Sequence, residues 1–138
     1  MGNYQELIFY QKARQVAQKV DALIKRWPKT MQAQEISRQL FRSATSVGAN
    51  IAEGHGRHQG TEYIHYLIIA QASANETEHW LHTARDCGLG GREEINEILK
   101  LNNEVLRMIT AAINTLRAKP GTKSFKEAQS EYILDSND

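Results

Sequence analysis

Basic side chains recur along the first half of this chain at spacings that could hold a polyanion. Lys12, Lys19 and Arg26 stand seven residues apart, and Arg38 and Arg42 stand one helical turn apart. Such spacings place side chains along one face of a helix. Phosphate contacts of this kind need cations but read no base sequence. The rows therefore predict a nucleic-acid-binding surface of low sequence specificity, with ordinary solvated side chains as the alternative.

A further pair of basic residues precedes the third predicted helix. Arg57 and His58 come just before Thr61, a residue type that often caps helix N-termini. Unpaired N–H groups at a helix N-terminus favour anions. Arg57 and His58 therefore join the candidate nucleic-acid contacts.

Acidic and histidine side chains on the third predicted helix have the spacing of metal ligands. Glu62 with His65 and Glu76 with His79 are both Glu-x-x-His pairs. Di-iron bundles take such pairs from two different helices, whereas both pairs here share one helix. The run GHGRHQG also lacks the Lys-Ser/Thr ending of a phosphate-binding loop. We therefore predict a protein without metal or cofactor that is not an enzyme.

The composition indicates one ordinary folded domain. Hydrophobic residues make up 41% and charged residues 24% of the 138 residues, as in typical globular proteins. No apolar run is long enough to cross a bilayer. The single cysteine, Cys87, cannot form an internal disulfide, which favours a reducing compartment. We expect a cytoplasmic protein with no membrane partner.

Apolar residues recur at alternating steps of three and four over four long segments, which predicts four helices. The segments span about 3–26, 31–53, from about 61 to the glycines that begin at Gly88, and 93–118. Pro28 separates the first two segments, and Gly88, Gly90 and Gly91 separate the last two. Short connections and a mean period near 3.5 residues predict an all-α, antiparallel, left-handed, up-down-up-down four-helix bundle. Residues 1–118 would form this bundle and residues 119–138 a flexible tail, in which Phe125 and Tyr132-Ile133-Leu134 could form a docking segment.

Several apolar residues lie beside the predicted core seams. They are Phe41 in helix two, Ile64 and Ile68 in helix three, and Leu99, Leu106 and Ile113 in helix four. Extra apolar rows favour a buried face between identical subunits. The alternative is a wide core stripe within one chain.

Two amides fall on the predicted core seams. Asn50 and Asn102 would fix the register between helices if their side chains are hydrogen-bonded there, with ligand binding as the alternative. Glu53 could accept bonds near the end of helix two. Gly54 or Gly56 could close that helix in a left-handed conformation.

The run Ser46–Arg57, SVGANIAEGHGR, together with Trp27-Pro28 and Leu7–Ala13, carries a family resemblance. The chain resembles the four-helix-bundle proteins encoded in intervening sequences of 23S rRNA genes. It is more distantly similar to the accessory variability protein of diversity-generating retroelements. The resemblance implies a homopentamer and a role in binding nucleic acid. For the retroelement relatives it also implies a reverse transcriptase partner.

The distribution of charge along the chain fits such an assembly. Residues 1–60 carry nine Lys/Arg and four Asp/Glu, whereas residues 61–118 carry five and eight. Unlike halves could attract one another between copies in a head-to-tail ring. We therefore predict a homo-oligomeric scaffold that binds RNA or DNA through its basic surface. The alternative is a protein–protein interaction module that docks a partner enzyme such as a reverse transcriptase.

Overall fold

Four long helices account for almost all of the computed structural model, which describes residues 3–57 and 60–118. A short 3₁₀ helix at Tyr4–Glu6 precedes α1 (Ile8–Ile24), α2 (Met31–His55), α3 (Gly60–Asp86) and α4 (Arg92–Arg117). The described residues contain no strand. The molecule is therefore all-helical, consistent with the predicted four-helix bundle. The predicted tail, residues 119–138, lies outside the described residues.

The first helix begins later than its sequence pattern predicts. The Asn3 side chain accepts a hydrogen bond from the backbone N–H of Gln5 at 3.0 Å, which holds a single 3₁₀ turn. Leu7 then adopts an extended backbone, with ψ at 126°. This break moves the start of α1 to Ile8.

The start of α2 has a side-chain cap, and its end lacks the predicted left-handed residue. At its start, the Thr30 hydroxyl accepts a hydrogen bond from the N–H of Ala33 at 3.2 Å. At its end, Gly56 has φ near −75° and stays right-handed, and Gly54 lies inside the helix. The prediction that either glycine supplies a left-handed residue is therefore wrong. Among the described residues, Gly88 and Gly90 have positive φ, 71° and 77°, and both lie in the turn between α3 and α4.

The core runs along the four predicted seams. Each helix contributes side chains that are almost completely buried, such as Val20, Leu40, Leu67 and Ile109. Burial of a large aliphatic side chain stabilises the fold by about 1.5–3 kcal/mol. The seams therefore supply most of the force that holds the helices together.

Polar groups cross the core at two helix pairs. The buried Thr77 hydroxyl donates to the Ser43 hydroxyl at 3.0 Å, which joins α3 to α2. The Asn102 amide donates to the backbone carbonyl of Ala74 at 2.9 Å, which joins α4 to α3. Asn102 therefore has the inter-helix role that its position predicts, because a buried donor without a partner costs about 1–3 kcal/mol.

Two ion pairs between α1 and α4 run in opposite order along the two helices. On α1 and α4, Lys12 pairs with Glu104 while Arg26 pairs with Glu94. Both α1 and α3 pack on α2 and α4, so α1 and α3 occupy opposite corners of the molecule. None of the helices in the described part of the chain has a stretch long and apolar enough to span a bilayer.

Candidate functional site

The basic row on α1 is partly neutralised by α4. The Lys12 ammonium lies 3.1 Å from a carboxylate oxygen of Glu104, and the Arg26 guanidinium pairs with Glu94. Lys19 is exposed and makes no ion pair with any described residue. Lys19 is therefore the cation of this row that remains open to an external anion.

Arg42, on α2, bridges to α3. Its guanidinium pairs with Glu76, which also accepts a hydrogen bond from the Trp80 indole at 3.0 Å. Arg38 lies 4.0 Å from Glu35 on its own helix, which is a loose contact. Of these two predicted phosphate contacts, Arg38 is the more available.

Arg57 is directed toward its own chain. Its guanidinium pairs with Glu53, donates to the Tyr66 hydroxyl at 3.0 Å and lies 5.1 Å from the centre of the Tyr66 ring. The hydrogen bond with Glu53 is the main cause that raises the pKa of Arg57, and the charge interaction with Tyr66 adds to it. These contacts tie the end of α2 to α3.

The predicted phosphate site beside Arg57 is incompletely described. His58 lies outside the described residues. Helix α3 begins at Gly60, so Thr61 lies inside the helix and is not its N-cap, contrary to the prediction. Phosphate binding at this turn stays a prediction.

Gly54 lets α2 and α3 approach closely. A Cβ atom at position 54 would lie 2.7 Å from the Tyr66 Cβ, closer than real Cβ contacts, and a tight 3.0 Å from the Tyr63 Cδ1. Burial raises the pKa of the Tyr63 phenol, which packs at this point. The role of Gly54 is therefore to provide space between two helices.

Asn50, predicted to fix the register between helices, bonds within its own helix. It is half-buried, and its amide donates to the Ser46 carbonyl at 2.9 Å and the Ser46 hydroxyl at 3.0 Å, both on α2. The Ser46 hydroxyl in turn bonds the Ser73 hydroxyl of α3 at 3.0 Å. Asn50 thus supports the contact between α2 and α3 through Ser46.

Two of the six residues predicted for a subunit face lie in the core of the single chain. Ile64 is 0% exposed and Ile113 is 3% exposed, so neither can contact a second copy. The prediction is wrong there because the core stripes of α3 and α4 are wider than one heptad seam. Ile68, Leu99 and Leu106 are half-buried against the core.

Phe41, the remaining predicted interface residue, is a large exposed hydrophobic side chain. It is 42% exposed on α2 and lies at the edge of a groove between α1 and α2. This α1/α2 groove has a volume of about 440 Å³, and its lining includes Tyr10, Arg14, Ala17 and Ala49. We did not predict the groove, although a signal exists: small residues recur four apart on both helices, at Ala13, Ala17, Ala44 and Gly48.

Another groove, of about 340 Å³, lies between α3 and α4 and is lined by residues including Leu99 and Lys100. His82 belongs to the lining of this groove. Its Nε2 lies 3.5 Å from a carboxylate oxygen of Glu78, and its Nδ1 accepts a hydrogen bond from the Arg85 guanidinium at 2.8 Å. Both partners of the imidazole thus come from its own helix. Among the described residues, no three His, Cys, Asp or Glu side chains are grouped as metal ligands would be.

Charge is distributed unevenly between opposite corners of the molecule. Residues 8–26, which contain α1, carry five Lys/Arg and one Asp, whereas α3 carries one Arg and four Asp/Glu. On α1, Arg14 and Lys19 make no ion pair with a described residue, and neither do Glu62 and Asp86 on α3. The two corners therefore present opposite charge to the surroundings.

Comparison with known proteins gives two findings. The sequence model of the 23S rRNA-intervening sequence protein family matches residues 5–111. A solved structure from Bacteroides thetaiotaomicron VPI-5482, described as a protein with unknown function from the S23 ribosomal protein family, is similar at 29% sequence identity. The similarity has a TM-score of 0.68 and covers 77% of this chain and 98% of that chain. Among curated proteins, none matches.

Proposed function

The chain belongs to the 23S rRNA-intervening sequence protein family, and on that premise we propose that it is a non-enzymatic, self-associating scaffold. Five copies would form the assembly, as the family resemblance implies. Each copy would be a left-handed up-down-up-down bundle, and the opposite order of the contacts between α1 and α4 supports the up-down arrangement. The observation that carries the proposal is the separation of charge between α1 and α3.

Helices α1 and α3 cannot neutralise one another within one copy, because α2 and α4 separate them. Between copies, the basic corner of one molecule would pair with the acidic corner of the next. A contact between two different patches is heterologous, and repetition of it closes a ring when the rotation between copies allows. Half-buried Leu106 would supply apolar area to such contacts.

Light scattering after size-exclusion chromatography tests the assembly. We expect a mass several times that of the 15.7 kDa chain at micromolar concentration. Leu106→Glu should give smaller particles that remain helical by circular dichroism, because it places a charge in the shared face. Ala111→Glu, a change at an exposed position of the same helix, is the matched control and should leave the mass unchanged. The proposal is contradicted if the wild-type particle has the mass of a single chain. It is also contradicted if the Leu106→Glu particle has the same mass as the wild-type particle.

Charge reversal tests the carrying observation more directly. Lys19→Glu removes an unpaired cation from α1 and should shift the assembly toward smaller particles. Lys100→Glu, at an exposed position of α4, makes the same change away from α1 and should have less effect. Rising salt should favour dissociation of the wild-type protein, because the Debye length shortens to about 3 Å at 1 M.

Nucleic-acid binding is the second candidate function, and the exposed side of α1 favours it. Lys19 is open, and the pairs of Lys12 and Arg26 with α4 are partly exposed. Exposed ion pairs contribute about 0–1 kcal/mol, so a phosphate could replace either carboxylate. We infer contacts to the nucleic-acid backbone without base recognition.

Binding of single-stranded RNA at several salt concentrations tests this candidate. Affinity should fall steeply as salt rises. Reversal of Lys12, Lys19 and Arg26 to Glu should weaken binding, and reversal of Arg38, Arg42 and Arg57 tests the α2 surface in the same way. An affinity for RNA that does not change with salt concentration would contradict this candidate function. Binding that appears only with an added protein such as a reverse transcriptase would favour the protein-docking alternative.

A further inference from the structure

The α1/α2 groove is an apolar surface that no described residue fills. Its floor contains Ala13 and Ala44, which are 2% and 1% exposed, and its volume is about 440 Å³. Gly48 lines it without a side chain, and Phe41 stands exposed in its wall. A groove of small residues beside an exposed aromatic ring suits branched aliphatic and aromatic side chains of a short peptide.

The groove also carries a cation without a counter-charge. The Arg14 guanidinium contacts the Tyr10 hydroxyl at 3.4 Å and makes no ion pair with a described residue. The other charged group of the lining, Asp21, is paired with Lys25 at 2.9 Å. The fitting ligand is therefore an apolar segment flanked by carboxylates.

The chain itself contains such a segment beyond the described residues. Residues 131–135 read Glu-Tyr-Ile-Leu-Asp, an apolar triplet between two carboxylates. Residues 127–138 carry four Asp/Glu and no Lys or Arg. Composition and sign of charge thus match the groove.

The segment is long enough to reach the groove from the end of α4. Because Glu104 lies beside Lys12 and the helices run in opposite order, Arg117 ends about 20 Å past Lys12, on the side of the start of α1. The centre of the groove lies about 5 Å to the other side of Lys12, across a helix about 10 Å wide. The path is therefore roughly 30 Å. Residues 119–131, which precede Tyr132, can span up to about 43 Å.

We propose that the α1/α2 groove binds residues 131–135 of the same chain, with the Tyr132-Ile133-Leu134 triplet over the small residues and a flanking carboxylate beside Arg14. A tethered ligand has an effective concentration in the millimolar range, so weak contacts suffice to fill the groove. The segment would then compete with any external peptide for the same surface. This inference does not depend on self-association, because it concerns contacts within one copy.

Distance measurement between two spin labels in the full chain tests the proposal. The background is Cys87→Ser, with labels at Ala22→Cys, an exposed position of α1, and at Asn137→Cys. Labelled protein is mixed with excess unlabelled protein, so that each assembly holds about one labelled copy. We expect a narrow distance distribution. A broad distance distribution in this mixed sample would overturn the proposal. A narrow distribution that is seen only without unlabelled protein would also overturn it, because the distance would then lie between two copies.

Charge exchange makes the test specific to the groove. Arg14→Glu should broaden the distance distribution. Adding Glu131→Arg and Asp135→Arg to the Arg14→Glu chain restores opposite charges and should make the distribution narrow again. Lys19→Glu is the matched control, since Lys19 is a cation of the same helix outside the groove lining, and it should leave the distribution narrow. Loss of assembly in Lys19→Glu with the narrow distribution intact would separate this inference from the proposed function. If Arg14→Glu leaves the distribution narrow, or the exchange fails to restore it, the assignment is wrong.

Discussion

Alanine should stabilise the protein at position 48 of α2 but not at position 54, although both are glycine. Both glycines are buried within the same helix. An added Cβ at Gly48 would lie 3.5 Å from the Tyr10 ring, an ordinary van der Waals contact. At Gly54 it would lie 2.7 Å from the Tyr66 Cβ, an atom attached directly to the α3 backbone. The first change therefore fits the structure, and the second requires α3 to move.

The expected free energies follow from two effects. Alanine lowers the backbone entropy cost of a helical position and gains about 1 kcal/mol over glycine. Gly48→Ala should realise this gain. Gly54→Ala should lose about 1–3 kcal/mol to overpacking, so that its net effect is roughly zero to a 2 kcal/mol loss. The two variants should differ in unfolding free energy by about 1–3 kcal/mol.

Thermal and urea unfolding followed by helical circular dichroism measure this difference. Protein concentration must be equal in all samples, because association stabilises the folded state. For a chain of this size, 1 kcal/mol corresponds to about 4 °C in Tm. If the Tm of Gly54→Ala equals or exceeds that of Gly48→Ala, the close approach of α2 and α3 is not the reason for glycine at position 54.

Three further perturbations have defined outcomes. Gly90→Ala should lower Tm by more than Gly88→Ala, because both residues have positive φ but a Cβ at Gly90 would also lie 2.8 Å from Leu23 Cδ1. Asn102→Asp should cost about 3 kcal/mol in urea unfolding at neutral pH, since a buried carboxylate would face the Ala74 carbonyl in place of a donor. Burial raises the pKa of Tyr63 in the folded state above the ordinary value of 10.0. The unfolded state therefore loses the phenol proton at a lower pH than the folded state. The free energy of unfolding should fall as pH rises from 10.0 to the pKa of the folded state. Ultraviolet absorbance should show a late tyrosine titration that Tyr63→Phe abolishes.

The helices and their core were predictable because their signals are local. Pro28 and the glycines around Gly88 end helices by restricting or freeing their own backbones, and apolar residues at steps of three and four give the seams. The start of α1 was not predictable from periodicity, since the Asn3 cap and the extended Leu7 interrupt a pattern that continues through them. Similarly, the conformation of Gly56 depends on how α2 leads into the following turn.

The surface could be predicted only in part, because the partners of its charges lie far away in the sequence. Lys12 and Glu104 are 92 residues apart, and Arg42 and Glu76 are 34 apart. Spacing alone placed Lys12 and Arg42 on helix faces, yet it could not show that a carboxylate from another helix would meet each one. The same limit explains why the sequence pattern predicts a subunit face for Ile64 although its side chain is buried: its depth depends on how α2 and α4 flank α3.

Small residues have different consequences at the two sides of α2 because different side chains oppose them. Toward α3, atoms of Tyr63 and Tyr66 occupy the space beside Gly54, and α2 and α3 lie close together. Toward α1, Gly48 meets only the flat ring of Tyr10, and the groove remains. If the groove binds residues 131–135, then Gly48→Ala should raise stability and weaken that binding together, because the added methyl group occupies the same space. Glycine at 48 would then be retained for binding at a cost in stability of about 1 kcal/mol, a trade-off typical of functional surfaces.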